Sequence, residues 1–249
     1  MRSVLNRTDG PAIVCAQAGN VNTGAFDPLR EIETIAHAKS AWLHIDGAFG
    51  LWAAAAPSLR HLVDGAARAD SWTVDGHKWL NVPYDSGFVI VAHPAAHAAA
   101  MTQSAAYLLR ANDRERDCQE WTPEASRRAR GTAVYAALRS LGRRGLDELV
   151  TRCCRCAGRI AARLGAEEGV DVLNEVVLNQ VLVRFRSRSG ENISPAVAAR
   201  FQREGVCWAG GTEWRGEPAV RISVSAWKTT DEDVDRSVES IVRAHAASR

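Results

Sequence analysis

Two stretches of sequence decide the fold: residues 42–48, WLHIDGA, and residues 71–79, SWTVDGHKW. Each begins with a short apolar run typical of a buried strand and ends in small or polar residues typical of a turn. We therefore expect Asp46 and Lys78 to follow the carboxyl ends of two strands, where open α/β sheets bind their ligands. By itself, Asp46 is more typical of a turn or a helix cap, and a lone lysine of a solvated surface charge. The apolar strand and Trp79 beside Lys78 favour instead a partly desolvated, reactive amine.

Strands and helices alternate in the region around these two stretches. A helix between the first two strands is predicted to have Asp27 as its N-cap and Pro28 at its first helical position. This alternation favours an α/β fold with a mostly parallel sheet. The predicted strands are residues 13–16, 42–45, 71–74 and 88–91.

The pattern changes in the second half of the chain. A charged loop over residues 110–120 precedes two predicted helices, one from Thr122 toward Leu141 and one over residues 146–164. The remaining pattern is typical of a small α+β domain. Its predicted elements are apolar alternation over 177–185, a helix opened by Ser194 and Pro195, strands around Val206 and over 220–224, and a helix after Thr230.

We expect two domains, residues 1–150 and residues 151–249, with the long helical region between their sheets. The chain has 249 residues, of which 46% are hydrophobic and 24% charged, with a net charge of +2. This composition is typical of a globular protein and gives no broad basic field for nucleic acid or an anionic membrane. No apolar run approaches the roughly 18–20 residues of a membrane span, and no signal peptide is apparent. Together with only six cysteines, these features predict a cytoplasmic protein.

Two clusters of like residues are interpreted as structural. The arginines at 127, 128 and 130 are typical of a solvated helix face. Among the cysteines at 153, 154 and 156, Cys153 shares the apolar period of a buried helix face, whereas Cys154 and Cys156 are expected to point away from the core. We therefore predict no metal site at these cysteines.

The two opening stretches resemble the group II pyridoxal-phosphate decarboxylases, which include aromatic amino-acid, histidine and glutamate decarboxylases. An upstream His-x-Asp-x-Ala combined with a His-Lys turn is a specific pairing, although either half alone is weak. The resemblance covers residues 11–145. Its segments are WLHIDGA at 42–48, ADS at 69–71, DGHKW at 75–79, AGNVNTGAFD at 18–27 and, more weakly, residues 127–145.

The resemblance implies a fold-type I pyridoxal-phosphate-dependent transferase-like structure and a role for each matching residue. Lys78 would carry pyridoxal 5'-phosphate as an internal aldimine, and Asp46 would pair with the protonated ring nitrogen. Ala48 would pack on the ring, and His77 would reach the phosphate or the substrate. Asp75 stands where relatives have Asn or Asp, which implies a hydrogen bond on the phosphate side.

The implied activity is decarboxylation of an L-amino acid by a protein that is a homodimer in its full-length form. Members of this family are longer, so the resemblance also implies that the N-terminal half, with the phosphate-binding loop, is missing. Two alternatives stay open: another fold-type I enzyme, such as an aldehyde synthase, a lyase or a transaminase, and an inactive fragment.

Two further residues leave the substrate and the reaction type undecided. Relatives that decarboxylate carry a tyrosine in a mobile loop; residues 110–121 have none, and Tyr107 lies just before them. Arg221, on a late predicted strand, is a candidate anchor for a substrate carboxylate, although a surface-paired strand arginine is the more frequent case.

Overall fold

The computed structural model describes residues 1–102, 117–124 and 126–249 of the chain. Its strands form two four-stranded sheets, the first built from residues 13–91 and the second from residues 170–223. In the first sheet the first three strands run parallel to one another and the fourth is antiparallel, whereas the second sheet is antiparallel throughout. This confirms the α/β class with a mostly parallel sheet, followed by a smaller α+β unit.

The elements follow one another in a simple order along the chain. The strands are β1 Ile13–Gln17, β2 Trp42–Asp46, β3 Ser71–Asp75, β4 Gly87–Val91, β5 Val170–Val172, β6 Gln180–Phe185, β7 Gly210–Trp214 and β8 Glu217–Ser223. The α-helices are α1 Arg2–Leu5, α2 Leu29–His37, α3 Gly76–Trp79, α4 Pro94–Met101, α5 Arg130–Leu164, α6 Ser194–Glu204 and α7 Asp231–Ala246. Short 3-10 helices cover Gly50–Ala55, Arg60–Val63, Ala66–Arg68 and Cys118–Trp121.

The first sheet is held by alternate apolar residues that face α2. Leu43 and Ile45 of β2 are fully buried, and Leu29 and Ala36 of α2 pack in the same cluster. Burial of such side chains is worth roughly 1.5–3 kcal/mol each. This packing fixes which residues of β2 face the core and leaves Asp46 at the open end of the strand.

A larger core joins the two sheets through α5. It contains Phe49 and Trp79 from the first half of the chain, Val150 of α5, Phe185 of β6 and Ile241 of α7. The predicted boundary between residues 150 and 151 falls inside α5, so the two-domain division stays a prediction. Among the described residues, no helix combines the length and the apolar composition needed to cross a bilayer.

The predicted start of α2 is wrong by one residue. The helix begins at Leu29 with Pro28 as its N-cap residue, so Asp27 does not cap it. The Asp27 carboxylate accepts a hydrogen bond from the Gln17 backbone N–H at 2.7 Å instead. The Asp27 carboxylate therefore bonds to the backbone of β1 instead of capping the helix as the local sequence predicts.

The two helices predicted on either side of residue 142 form one element. It begins at Arg130, whereas Thr122 donates its hydroxyl to the Glu124 carbonyl in a separate turn. Gly142 has non-helical dihedrals, with a φ of 60°, and marks a kink between the two parts. Of the predicted charged loop, residues 110–116 lie outside the described residues, and so does Tyr107.

The prediction of a strand around Val206 is wrong. Helix α6 ends at Glu204, its C-cap Gly205 has a φ of 71°, and the chain then runs as a loop to β7 at Gly210. A left-handed glycine is the usual way to stop a helix, so the apolar residues at 206–208 belong to the connection. Strand β5 was not predicted. The final helix after Thr230 is confirmed, with a capping box between Thr230 and Asp233.

The cysteine prediction is correct for Cys153 and wrong for Cys156. Both thiols are 1% exposed, because α5 packs against α7 as well as against the sheets. Burial raises the pKa of Cys153, and it raises the pKa of the half-buried Cys154 to about 12. Among the described residues, no group of three or more His, Cys, Asp or Glu side chains could hold a metal ion.

Candidate active site

The turns that follow β2 and β3 are joined by backbone hydrogen bonds. The Gly47 N–H donates to the Thr73 carbonyl at 3.0 Å, and the Asp75 N–H donates to the Ala48 carbonyl at 2.8 Å. The parallel register that pairs Asp46 with Thr73 thus continues past the strand ends. Because both strands end at the same edge, the structure brings the 46–49 turn and the 75–78 turn together.

Asp46 presents its carboxylate at this edge of the sheet. The residue is exposed, and its Oδ1 accepts a local hydrogen bond from the Ala48 N–H at 3.1 Å. Its backbone carbonyl accepts from the Ala18 N–H at 2.8 Å, so the main chain is held by the neighbouring strand end. Asp46 is therefore a carboxylate on a fixed backbone, available to a ligand above the strand ends.

Lys78 lies in α3, one residue before the fully buried Trp79 that anchors the turn in the core. Its Nζ lies 2.9 Å from Oδ2 of Asp75 and 5.8 Å from the ring centroid of Phe49. The side chain is 37% exposed. The amine is thus held over the 46–49 turn between a carboxylate and an aromatic face.

His77 is held by the loop before β4 and shares the Asp75 carboxylate with Lys78. Its Nδ1 lies 2.8 Å from the Ser86 carbonyl oxygen and 3.1 Å from the Ser86 nitrogen, and its Nε2 lies 3.5 Å from Oδ2 of Asp75. The ring packs against Tyr84 in a tilted arrangement, with the centroids 4.2 Å apart and an interplanar angle of 35°. The histidine is therefore oriented by three neighbours before any ligand binds.

The residues that follow Asp46 at the end of β2, Gly47 and Ala48, are small. Ala48 lies half-buried between Gly47 and Phe49. A Cβ on Gly47 would lie 2.5 Å from the Cβ of Leu51 and 3.2 Å from the Thr73 carbonyl. The absence of a side chain at 47 is therefore required for the 3-10 helix that carries Leu51 to pack over the end of β2 beside Thr73.

Two arginines hold the Tyr84–Asp85 loop against the site, which the sequence interpretation missed. Arg128 donates to the Tyr84 carbonyl at 2.9 Å, and Arg130 forms two hydrogen bonds with the Asp85 carboxylate at 2.8 and 3.1 Å. The hydrogen bonds to Arg130 hold the pKa of Asp85 below its usual value. The prediction of a solvated cluster is correct for the exposed Arg127 and Arg128, but its placement on a helix face is wrong, because both residues precede α5, which begins at Arg130.

Arg221 lies in β8 near the loop that follows β1. It is half-buried, and its guanidinium lies 3.4 Å from the Val21 carbonyl oxygen. This contact is long for a hydrogen bond and involves no carboxylate. Its role as a substrate anchor stays a prediction.

The described residues fit a pyridoxal cofactor. A primary amine can bind its aldehyde, and the carboxylate of Asp46 can pair with a protonated ring nitrogen. The accessibility of both groups and the small residues at 47 and 48 leave this edge open to a flat ring. A metal-binding or nucleophilic-serine arrangement would require a different set of side chains.

Comparison with known proteins gives the same result over most of the chain. Residues 2–188 match the family model described as the pyridoxal-dependent decarboxylase conserved domain. The aromatic-L-amino-acid decarboxylase of Bacillus atrophaeus is 27% identical over 242 residues, covering 91% of this chain and 50% of that protein. The aspartate 1-decarboxylase of Aliivibrio fischeri is 30% identical over 175 residues, covering 70% of this chain and 31% of that protein.

Solved structures show that the similarity extends to the fold. The crystal structure of Oryza sativa TDC with PLP and tryptamine superposes with a TM-score of 0.87 at 22% identity, covering 94% of this chain and 50% of that one. Catharanthus roseus tryptophan decarboxylase in complex with L-tryptophan gives a TM-score of 0.84 at 22% identity, covering 95% and 51%. The chain thus has half of a fold-type I architecture and spans at most about half the length of these proteins. Since the family match includes both turns of the site, the chain belongs to the pyridoxal-dependent decarboxylase family, whose cofactor is pyridoxal phosphate.

Proposed function

We propose that this chain supplies the cofactor lysine of a pyridoxal-phosphate-dependent carboxy-lyase that decarboxylates an L-amino acid. The observation that carries the proposal is the meeting of Lys78 and Asp46 at one edge of the sheet, on turns joined by backbone hydrogen bonds. The family match supports the reaction class.

The use of lysine in the chain supports the assignment of Lys78. Of 31 basic residues only three are lysines, at 39, 78 and 228, and the other 28 are arginines. Arginine meets most needs for positive charge but cannot bind an aldehyde covalently, because its guanidinium stays protonated. Lys39 and Lys228 are exposed, whereas Lys78 lies partly buried at the strand ends. A lysine at this position fits covalent chemistry better than a need for charge alone.

Pyridoxal phosphate, when bound, supplies an electron sink for the charge left behind when carbon dioxide departs. Asp46 would strengthen that sink by keeping the ring nitrogen protonated. Lys78 would bind the cofactor and, once released by the substrate amine, would be a basic group able to carry a proton. His77 would present an oriented imidazole beside these groups, and Ala48 a small apolar surface to the ring.

The substrate is proposed only as a class. The relatives are named for aspartate, histidine and aromatic amino acids, so the shared feature is an L-amino acid with a free α-carboxylate. We further propose that the full-length protein forms a homodimer, which light scattering of that protein would test. The exposed Tyr84 and Trp227, which both follow the Lys78 turn in the chain, are available for such contacts.

An absorbance experiment tests the cofactor assignment. Purified chain is incubated with pyridoxal phosphate and scanned for a visible band, and the scan is repeated with Lys78→Ala. We expect a band that is lost in Lys78→Ala and retained in Lys39→Ala and Lys228→Ala, because of the three lysines only Lys78 lies on a turn joined to that of Asp46. Substitution Asp46→Ala should keep the attachment but change the position of the band, since the ring nitrogen loses its partner.

The controls make the experiment decisive for the lysine. A band that survives in Lys78→Ala, or that disappears equally in Lys39→Ala, would contradict the assignment. Folding of each variant is checked by far-ultraviolet circular dichroism.

A further inference from the structure

We propose that Asp75 is a positioning residue that acts through Lys78, holding its amine in an ion pair and thereby slowing the attachment of an aldehyde. The inference rests on the proposed function of Lys78 as the attachment residue. It differs from the role that the family resemblance implies for position 75, which is a contact on the phosphate side of the cofactor.

The backbone of Asp75 is fixed from two directions. Its N–H donates to the Ala48 carbonyl at 2.8 Å, and its carbonyl accepts from Nε1 of Trp52 at 3.0 Å. These contacts join Asp75 to the turn after β2 and to the following 3-10 helix. The carboxylate therefore projects from an anchored position, and its distance to the amine does not depend on a mobile loop.

The carboxylate is directed at the amine and not into solvent. Its Oδ2 lies 2.9 Å from Nζ of Lys78 and 3.5 Å from Nε2 of His77, and the side chain is 23% exposed. A single carboxylate oxygen thus faces both basic groups of the turn. Lys78 follows three residues after Asp75, a spacing that α3 converts into direct contact.

The chemistry of attachment gives this contact a consequence. An amine adds to an aldehyde only through a free lone pair; a carbon–nitrogen double bond then forms and one water is released. The ammonium must first give up a proton, which passes to solvent or to the Asp75 carboxylate, and must leave the ion pair. Because the ion pair at 2.9 Å must separate before the amine can add to the aldehyde, the Asp75 carboxylate slows this step.

Comparing pyridoxal with pyridoxal phosphate distinguishes two roles for Asp75, an ion pair with the Lys78 amine and a contact with the cofactor phosphate. Only the second aldehyde carries a phosphate, so an effect on the phosphate appears with pyridoxal phosphate alone. An effect that operates through the Lys78 amine appears with both aldehydes. Attachment is measured by quenching with borohydride at timed intervals and quantifying the modified peptides that contain Lys39, Lys78 and Lys228.

We expect Asp75→Asn to react at Lys78 roughly two- to fivefold faster than the wild type with both aldehydes, which is the size of effect typical of a partly exposed ion pair. Asp75→Glu should return the rate toward that of the wild type, because it restores a carboxylate. Asp85→Asn is the matched control, since Asp85 is a nearby carboxylate that pairs with Arg130 instead. The rates at Lys39 and Lys228 should not change in any variant.

Each other outcome has a defined meaning. Equal rates at Lys78 in the wild type and Asp75→Asn, a slower Asp75→Asn, or a change with pyridoxal phosphate alone would overturn the role of Asp75 while leaving Lys78 as the attachment residue. Absence of modification at Lys78 with both aldehydes, while Lys39 is modified, would refute the proposed function and this inference with it.

Discussion

Gly50 occupies a position where the backbone itself leaves no room for a side chain. A Cβ there would lie 2.2 Å from the Ala18 carbonyl oxygen and 2.8 Å from the Cα of Gly19. This contact places the 3-10 helix after Phe49 against the turn after β1. The position of this 3-10 helix beside the strand ends that carry Asp46 and Lys78 therefore depends on a glycine that has no chemical role.

Gly50→Ala is expected to destabilise the protein by about 1–3 kcal/mol, because the clash is with backbone atoms that cannot rotate away. For a chain of this size that corresponds to a fall in Tm of several degrees. Gly158→Ala is the matched control. It lies on α5 with open space around its Cβ, so it should stabilise the helix by roughly 0.5–1 kcal/mol. Equal melting temperatures for the two variants would contradict this account.

At the scale of elements, Asp70 ties three segments together at the opposite edge of the first sheet. Its carboxylate accepts from the Leu43 N–H at 2.7 Å and contacts Nε2 of His37 at 3.2 Å and Nε2 of His93 at 2.9 Å. Nδ1 of His37 in turn lies 3.0 Å from the buried Glu33. These contacts connect α2, β2 and the chain after β4.

The pKa of Asp70 gives this connection a defined pH dependence. Burial opposes ionisation, but hydrogen bonds from Leu43, His93 and His37 outweigh it and lower the pKa below the ordinary 3.8. A depressed pKa contributes stability that is present above 3.8 and is lost as the pH falls through the lowered value.

Asp70→Asn is expected to cost about 1–3 kcal/mol at pH 7, because it weakens hydrogen bonds made to a charged group. The difference in unfolding free energy between wild type and variant should shrink as the pH falls below 3.8, since the carboxyl of the unfolded chain then takes up a proton while the folded one is still ionised. Urea unfolding at pH 7 and at pH 3 measures both values. Asp9→Asn, at an exposed N-terminal residue, serves as the control, and a difference that stays constant with pH would rule out ionisation as the cause.

For the whole molecule, the junction between the two sheets is made by polar contacts around a shared core. Nδ2 of Asn174 donates to the Thr23 carbonyl at 2.8 Å, and its Oδ1 accepts from the Leu182 N–H at 2.9 Å. Asn81, just after the Lys78 turn, donates to the Ser225 carbonyl at 2.9 Å. Hydrogen bonds from the second half of the chain therefore hold the loop around Thr23 and the loop at Asn81, which flank the strand ends that carry Asp46 and Lys78.

Asn174→Ala is expected to lower the stability by about 2 kcal/mol, because the fully buried Leu182 N–H loses its partner. The Tm should fall by roughly 4–8 °C. Because the larger core contains residues from both sheets, unfolding should remain a single transition in both proteins. Coincident melting curves from tryptophan fluorescence and circular dichroism check this, and two resolved transitions in the wild type would instead support independent domains divided near residue 150.

The sequence by itself determined the strands that carry the site, the residues that end them and the family. Short apolar runs followed by small residues define β2 and β3 locally. Because burial alternates along β2 and β2 runs parallel to β3, Asp46 and the Lys78 turn both come at the carboxyl ends of their strands. The capping box at Thr230 was equally readable, because both of its hydrogen bonds lie within one helical turn.

Only the tertiary structure decided the partners of these residues. Arg128 donates to the Tyr84 carbonyl, Asp27 bonds to Gln17, and Arg130 reaches Asp85, 45 residues away in sequence. Each is a long or flexible polar side chain with several partners within reach, and its choice depends on which backbone the fold brings near. The local sequence pattern determines which element carries a side chain, whereas packing between segments distant in sequence determines which groups that side chain contacts.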